Sequence, residues 1–432
     1  MAAATATATA ATTFAFADFN NESDPQTKNT PLQRRWNTND PRNVTQVKRV
    51  MTKRPYLYND MFVQSTLDNM KNNAVITSGS SHPALANEIV QYLGVELSPM
   101  ECSTFSDGEI KIQIGKNVRG KDFFVIQSLC STGNKSLNDS IIELLLTVSA
   151  ARRASARSIT AVIPYFAYAR QSRKGSSKAR TTIAAADLAK MLSSMGVDRI
   201  LTVDLHSPEI VGKKPVCYVC CVCGAVMPVN ELTCVHFWCP GCFPNHVNVT
   251  NVVPTPVAAA YFGEKEEELQ QPVVVSPKSG GIFRAKQFMT TLKKFKPDVE
   301  LVTFVKEKFD DGSTTRRLLG NTTSIPPVRH QLLGSWFCNG TCFNTWLLHL
   351  FFFFGSSEGN VKGKDCILID DMMDTGTTII RAAERLKKAG ARRVYVYVCH
   401  GLFSGTSWAS VSKNTAIDEV IVSNTIPANR FR

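Results

Sequence analysis

Long apolar runs are missing from this chain. Nowhere in its 432 residues does an uninterrupted run approach the roughly 18 apolar residues that read as a membrane span. Its greasiest segment, 343–354, is shorter than that and is broken by Asn344 and His349. Acidic residues are also comparatively few: 36 Asp and Glu stand against 49 Lys and Arg, a net charge of +13. Such a balance points to an anionic ligand or partner. No basic helix with interleaved aromatics accompanies it, so small phosphorylated molecules are expected, with neither nucleic acid nor a membrane as partner. A disulfide framework is lacking as well. Of 13 cysteines, nine fall in the stretches 217–242 and 338–342, and Cys102, Cys130, Cys366 and Cys399 are scattered like buried apolar residues. That distribution suits a reducing compartment. The N-terminus has no charged region of the secretory kind. Its Ala/Thr richness, followed by Arg34, Arg35, Arg42, Lys48 and Arg49, leaves an organellar transit segment over 1–50 as the alternative to a disordered tail. Asp18, Glu22 and Asp24 count against transit, and the cytoplasm is the expected location.

What is present has the proportions of a globular protein: 44% hydrophobic and 20% charged residues, in a chain long enough for two or more domains. Residues 1–70 show no periodicity and read as a tail. From Ala74 onward, strand-like runs (74–77, 122–127, 159–164, 199–204) alternate with helical ones, notably 137–154 and 181–195. A second set follows, with helices over 254–269, 280–295 and 377–389 and strands over 272–276, 300–305, 365–369 and 393–399. Alternation of this kind implies parallel sheets with right-handed crossovers. Two segments break the rhythm, 213–242 and 321–359; both are rich in Cys, Trp and Phe and read as insertions.

The densest chemistry lies in Cys366-Ile-Leu-Ile-Asp-Asp-Met-Met-Asp-Thr-Gly-Thr-Thr378. Four apolar residues form a strand, the paired acids Asp370 and Asp371 sit at its end, and a Thr/Gly loop opens a helix. Ligands of open α/β sheets bind beyond the carboxyl ends of strands. A helix N-terminus offers backbone N–H groups and the positive dipole end to a phosphate. Paired acids suit ribose hydroxyls or a hydrated Mg²⁺.

This stretch resembles the phosphoribosyl-diphosphate signature of type I phosphoribosyltransferase-like proteins. With the two insertions set aside, residues 74–427 look like the ribose-phosphate pyrophosphokinase family. The likeness rests on Gly79-Ser-Ser-His82, Phe105-Ser-Asp-Gly-Glu109, Pro164-Tyr-Phe-Ala-Tyr-Ala-Arg-Gln171, Val203-Asp-Leu-His206, Ser276-Pro-Lys-Ser-Gly-Gly281, the Asp370 loop, His400-Gly-Leu-Phe-Ser-Gly405 and Asn424-Thr-Ile-Pro427. The resemblance implies two tandem phosphoribosyltransferase-like α/β domains, 74–212 and 243–432, each a mainly parallel sheet flanked by helices. It implies transfer of diphosphate from MgATP to the 1-hydroxyl of ribose 5-phosphate, with AMP released, in a homo-oligomer. It places the sugar phosphate on Asp370, Asp371, Asp374, Thr375, Gly376, Thr377 and Thr378. ATP falls on Phe105, Asp107, Glu109, Arg170, Gln171 and His206, with the first three reaching a neighbouring subunit. Asp204 and His206 are the implied Mg²⁺ contacts. Lys306 and Lys308, with His206, are the implied catalytic groups, the lysines stabilising charge in the transition state.

The chain departs from that pattern in places. Lys278 stands where the family usually carries an aspartate that helps bind metal, which reverses the local field. Ser172 follows Arg170 and Gln171 where an aspartate is usual, and the segment after His206 is interrupted. These departures motivate an alternative: a catalytically weakened member acting as a regulatory or interaction subunit. In the first insertion, Cys220, Cys223, Cys239 and Cys242 have the spacing of a tetrahedral zinc site. The competing reading is translated noncoding sequence. Gly212-Lys213-Lys214 can be encoded by a triplet run that contains a splice-donor string, and the four phenylalanines at 351–354 require a pyrimidine-rich tract.

Overall fold

The computed structural model describes residues 70–133, 135–172, 182–207, 210–211, 242–265, 269–308, 314–320 and 359–428. For 306–308, 314–317 and 319–320, and for the separate segment 46–48, it describes the backbone alone.

A short strand β1 (Gln46–Lys48) precedes two α/β units. The first comprises β2 (Ala74–Ser78), α1 (Pro83–Leu93), β3 (Leu97–Ser98), β4 (Met100–Thr104), β5 (Ile110–Ile114), β6 (Asp122–Ile126), α2 (Leu137–Arg153), β7 (Ser158–Ile163), α3 (Ala184–Ser194), β8 (Arg199–Val203) and β9 (Asn248–Val252). The second comprises α4 (Thr255–Glu264), β10 (Val273–Ser276), α5 (Ile282–Leu292), β11 (Glu300–Lys308), β12 (Thr314–Gly320), β13 (Asp365–Met373), α6 (Thr377–Lys388), β14 (Arg393–Gly401), α7 (Ser407–Ser412) and β15 (Glu419–Val422).

The first sheet has the order β3-β2-β6-β7-β8-β9 and is parallel throughout. The second has the order β1-β15-β14-β13-β10-β11-β12, parallel except where β12 turns back on β11. Strands covered on both faces read as continuous apolar runs, and β10 and β15 are buried at every position. Helices α2 and α3 cover one face of the first sheet through Leu144, Val148, Leu188 and Leu192, and α1 covers the other through Leu85 and Ile89. In the second unit, α6 packs Ile379 and Leu386 on one face, and α4 and α5 pack Phe262 and Phe288 on the other. Among the described residues no helix is long and apolar enough to cross a membrane.

In the second sheet β11 and β12 lie on one side of β10, and β13, β14 and β15 lie on the other. The chain therefore reverses its direction of winding between β10 and β13. Ligands of open α/β sheets bind at such a reversal, beyond the carboxyl ends of the strands.

Three expectations change. Strand β9 pairs with β8, and Phe243, Val247 and Val249 join the first core, so residues 243–252 belong with the first sheet and not with a unit beginning at 243. The antiparallel ribbon of β4 and β5 was not expected; its residues are all half-buried or exposed and form a separate sheet. Within the 1–70 tail, Gln46–Lys48 runs parallel to β15. Of the proposed zinc ligands, Cys220, Cys223 and Cys239 lie outside the described residues, whereas Cys242 packs at the rim of the first core. Both interrupting segments end where they begin. The Cys242 N–H donates to the Ile210 carbonyl at 3.0 Å, and the Gly359 N–H donates to the Leu318 carbonyl at 3.3 Å.

Candidate functional site

Asp370 and Asp371 lie at the carboxyl end of β13, both buried. Lys278 follows β10, the neighbouring strand across the reversal point, and reaches back to them. Its Nζ is 3.1 Å from Asp370 Oδ1 and 3.6 Å from Asp371 Oδ1. Burial draws the Lys278 ammonium down, but the two carboxylates outweigh it and hold the group above the ordinary lysine range. Burial and the adjacent Asp371 raise the Asp370 carboxyl. Burial would raise Asp371 too, but the hydrogen bond from His206, with Arg284 and Lys278 nearby, holds it well below the usual carboxylate range. Two neighbouring acids are thus pushed in opposite directions.

The first unit contributes from the end of β8. Asp204 has a left-handed backbone, φ +41°, a conformation that short polar residues tolerate best. Its carboxylate takes the Arg284 guanidinium through contacts of 2.9–3.2 Å. His206 Nδ1 lies 2.5 Å from Asp371 Oδ2, joining the two units. Arg170, on a 3₁₀ turn after β7, pairs across the same cleft with Asp374 at 2.9 Å. Burial and Arg170 act on Asp374 in opposite senses; Ser404 and Arg170 prevail and lower it.

The loop after Asp371 runs into α6. Gly376 is its N-cap with φ +74°, and no side chain caps the helix. The first N–H groups of α6 therefore keep their donors for an anion. A Cβ at Gly376 would meet Val411 Cγ2 at 2.7 Å, so both backbone and packing demand glycine. Thr375 and Thr377 are exposed beside it and Thr378 is half-buried.

Not every expected residue joins this cluster. Phe105, Asp107 and Glu109 lie at the tip of the β4–β5 hairpin, where their hydrogen bonds are local: Phe105 N–H to the Glu109 carbonyl at 2.8 Å and Glu109 N–H to Asp107 Oδ1 at 3.1 Å. Phe105 is 53% exposed, which suits contact with something outside this chain. Gln171 is exposed next to Arg170. Lys306 and Lys308 lie on β11, paired in register with Arg316 and Thr314; their side chains lie outside the described residues.

Sequence reasoning passed over Arg284. A signal was there: a cation in the first turn of a helix opposes the dipole and needs a fixed acid, and α5 has no acid in that turn. It also gave no roles to His82, His400, Asn424 and Thr425. The structure ties these together across the units. His82 Nε2 meets Asn424 Oδ1 at 3.1 Å, and His400 meets Thr425 Oγ1 at 2.8 Å and the Asp204 carbonyl at 3.2 Å. Burial lowers His400, so it serves here as a neutral imidazole. The Gly79-Ser80-Ser81 loop cradles the buried Glu143, which accepts from the Ser80 N–H and hydroxyl at 2.6 Å and pairs with Lys135 at 2.9 Å.

A protein-held divalent ion needs converging oxygen donors. Here Arg284 occupies the Asp204 carboxylate, His206 bonds to Asp371, and Lys278 reaches both Asp370 and Asp371. Among the described residues, no three His, Cys, Asp or Glu groups converge to hold an ion. As arranged, this donor set does not fit a magnesium ion held by the protein alone.

Comparison with known proteins bears on the whole arrangement. A family profile described as the N-terminal domain of ribose phosphate pyrophosphokinase matches residues 74–196, and a phosphoribosyl transferase domain profile matches 257–420. The ribose-phosphate pyrophosphokinase of Haemophilus ducreyi is 37% identical over 350 residues, covering 81% of this chain and 85% of that protein. The Buchnera aphidicola protein of the same name is 38% identical, with 81% and 85% covered. The crystal structure of phosphoribosylpyrophosphate synthetase from Mycobacterium smegmatis superposes with a TM-score of 0.59 at 28% identity, over 83% of this chain and 91% of that one.

Proposed function

This chain belongs to the ribose-phosphate pyrophosphokinase family, and from that premise we propose that it transfers the β,γ-diphosphate of MgATP to the 1-hydroxyl of ribose 5-phosphate, yielding 5-phosphoribosyl 1-diphosphate and AMP. The observation that carries the reading is the Arg170–Asp374 ion pair of 2.9 Å. It brings a loop suited to nucleotide phosphates against a loop suited to a sugar phosphate, on facing units.

In this reading Asp370 and Asp371 accept hydrogen bonds from the ribose hydroxyls. The 5-phosphate rests on the α6 N-terminus, with Asp374, Thr375, Gly376, Thr377 and Thr378 around it. The Arg170 fork takes ATP phosphate oxygens in place of Asp374 as the substrate enters. Gln171 and His206 line the same side, and Asp204 is held ready beside them by Arg284. Diphosphoryl transfer needs a positioned nucleophile and neutralised oxygens more than covalent chemistry, and Lys306 and Lys308 are the proposed sources of charge from β11. The exposed Phe105, with Asp107 and Glu109, would reach the adenine held by a second copy of this chain, which makes a homo-oligomer part of the proposal. Magnesium enters as the counter-ion of ATP, and the expected location is the cytoplasm.

The deciding assay is AMP release. The purified chain given ATP and ribose 5-phosphate should form AMP and phosphoribosyl diphosphate in equal amounts. A folded preparation that forms ADP, or that forms AMP without the sugar phosphate, would rule the reading out.

A further inference from the structure

A pair of adjacent buried carboxylates is costly unless something offsets the charge. In this chain the offset comes from its own side chains. Lys278 Nζ reaches Asp370 Oδ1 at 3.1 Å and Asp371 Oδ1 at 3.6 Å, the bridging position a cation between two acids would take. Arg284 supplies a second fixed charge, bonded to Asp204 at 2.9–3.2 Å and 3.9 Å from Asp371. Helix α5 and the loop before it thus place two cations among three carboxylates.

The loop geometry favours this placement. Lys278 is extended, and its carbonyl accepts from Ser276 Oγ at 2.7 Å and from the Gly281 N–H at 3.0 Å, which fixes the turn. At Gly281 a Cβ would meet Ser276 Oγ at 2.8 Å, so the turn is tight where the lysine leaves it. The side chain is directed at the β13 acids by a rigid turn on the adjacent strand.

Compared with a carboxylate at the same place, an ammonium changes the local formal charge by two units, the charge of one divalent cation. We propose that Lys278 is the built-in counter-cation of the sugar-binding acids, so that ribose 5-phosphate binds this protein without divalent metal. Asp370 and Asp371 stay in place as hydrogen-bond acceptors because the chain, and not the solvent, carries their neutralising charge. Magnesium is then required only by ATP. This inference rests on the sugar-phosphate reading of the Asp370 loop.

The test is calorimetric titration of ribose 5-phosphate into the intact chain, in excess EDTA and again in millimolar magnesium, with no nucleotide. The wild-type dissociation constants should agree within about threefold. For Lys278→Asp, binding in EDTA should weaken at least about tenfold and return when magnesium is added. Lys278→Met, which removes the charge without adding an acid, should weaken binding in EDTA by a smaller factor. Wild-type protein that binds the sugar only with magnesium would overturn the inference and leave the function standing. So would Lys278→Asp and Lys278→Met variants that bind in EDTA as tightly as wild type. Absence of binding in every condition would overturn the sugar-phosphate reading and this inference with it.

Discussion

Asp371 is the residue on which most of the cleft converges: His206 bonds to it, Lys278 and Arg284 flank it, and solvent does not reach it. Replacing it removes the hydrogen-bond partner of His206 and one of the acids beside Lys278 and Arg284, which keep Asp370 and Asp204. Removing one partner of a buried charged group costs about 3–5 kcal/mol, much of it from the partner left behind. Asp371→Asn, which keeps the shape, should reduce ribose 5-phosphate affinity at least about a hundredfold, some 2.7 kcal/mol. Calorimetry against the sugar phosphate, with circular dichroism to confirm the fold, gives the answer; unchanged affinity would remove Asp371 from the site. A second expectation concerns thiols. Cys102 is only half-buried, yet burial and the neighbouring Glu143 push it up to about 12, and burial with Asp365 does the same to Cys366. At pH 8 on the order of one in ten thousand of either would be thiolate, so neither should react with iodoacetamide until the protein unfolds. Mass spectrometry of native and denatured samples would detect the difference, and rapid native labelling of Cys102 would contradict it.

Helix α2 shows what an element owes to its ends. Ser136 Oγ accepts from the Asp139 N–H at 3.2 Å, and the Asp139 carboxylate accepts from the Ser136 N–H at 2.7 Å, a closed capping box. Ser136→Ala should cost about 1 kcal/mol and lower the melting temperature by about 2–4 °C. A melting temperature unchanged within a few tenths of a degree would mean that water replaces the cap at no cost. The helix begins at Leu137, where the pattern of the sequence put it. The buried strands were equally legible, because Val273-Val-Val and Cys366-Ile-Leu-Ile are apolar at successive positions. Other elements were not. In β4 and β5 every residue is half-buried or exposed, and Glu101, Ser103, Lys111 and Gln113 give no apolar run. Strand β9, Asn248-Val-Thr-Asn-Val, has two asparagines and stands beyond an interruption, so neither composition nor position announced it. The site divides the same way. The Asp370 loop is continuous in sequence and was read whole. Arg284 and Asn424 act through partners far off in the chain, among them Asp204 and His82 at 80 and 342 residues away, and no local pattern encodes such a pairing.

Across the whole molecule, the two units are joined by side chains whose chemistry is polar: His206 to Asp371, Arg170 to Asp374, Arg284 to Asp204, His82 to Asn424. Among the described residues, an apolar cluster of Cys130, Tyr165, Leu402 and Ile426 accompanies them, and Cys399 of β14 packs into the core of the first unit. Among the described residues, a backbone hydrogen bond joins the flanks of each interrupting segment, Cys242 to Ile210 and Gly359 to Leu318. Replacing residues 212–241 by about three small polar residues shortens the connection about tenfold, which for a flexible closure lowers its entropic cost by about 2 kcal/mol. The shortened protein should keep its AMP-releasing activity and melt at a higher temperature. Loss of activity, or stoichiometric zinc in the intact chain, would assign those residues a task of their own. Strand β9 gives the same region another property. It lies after the interruption in the chain, yet its backbone is paired with β8, before it. A protease that cuts between Val211 and Cys242 would therefore make two fragments that share a sheet. They would travel together through a sizing column and part only in detergent, so the protein could be nicked in storage with its native size unaltered.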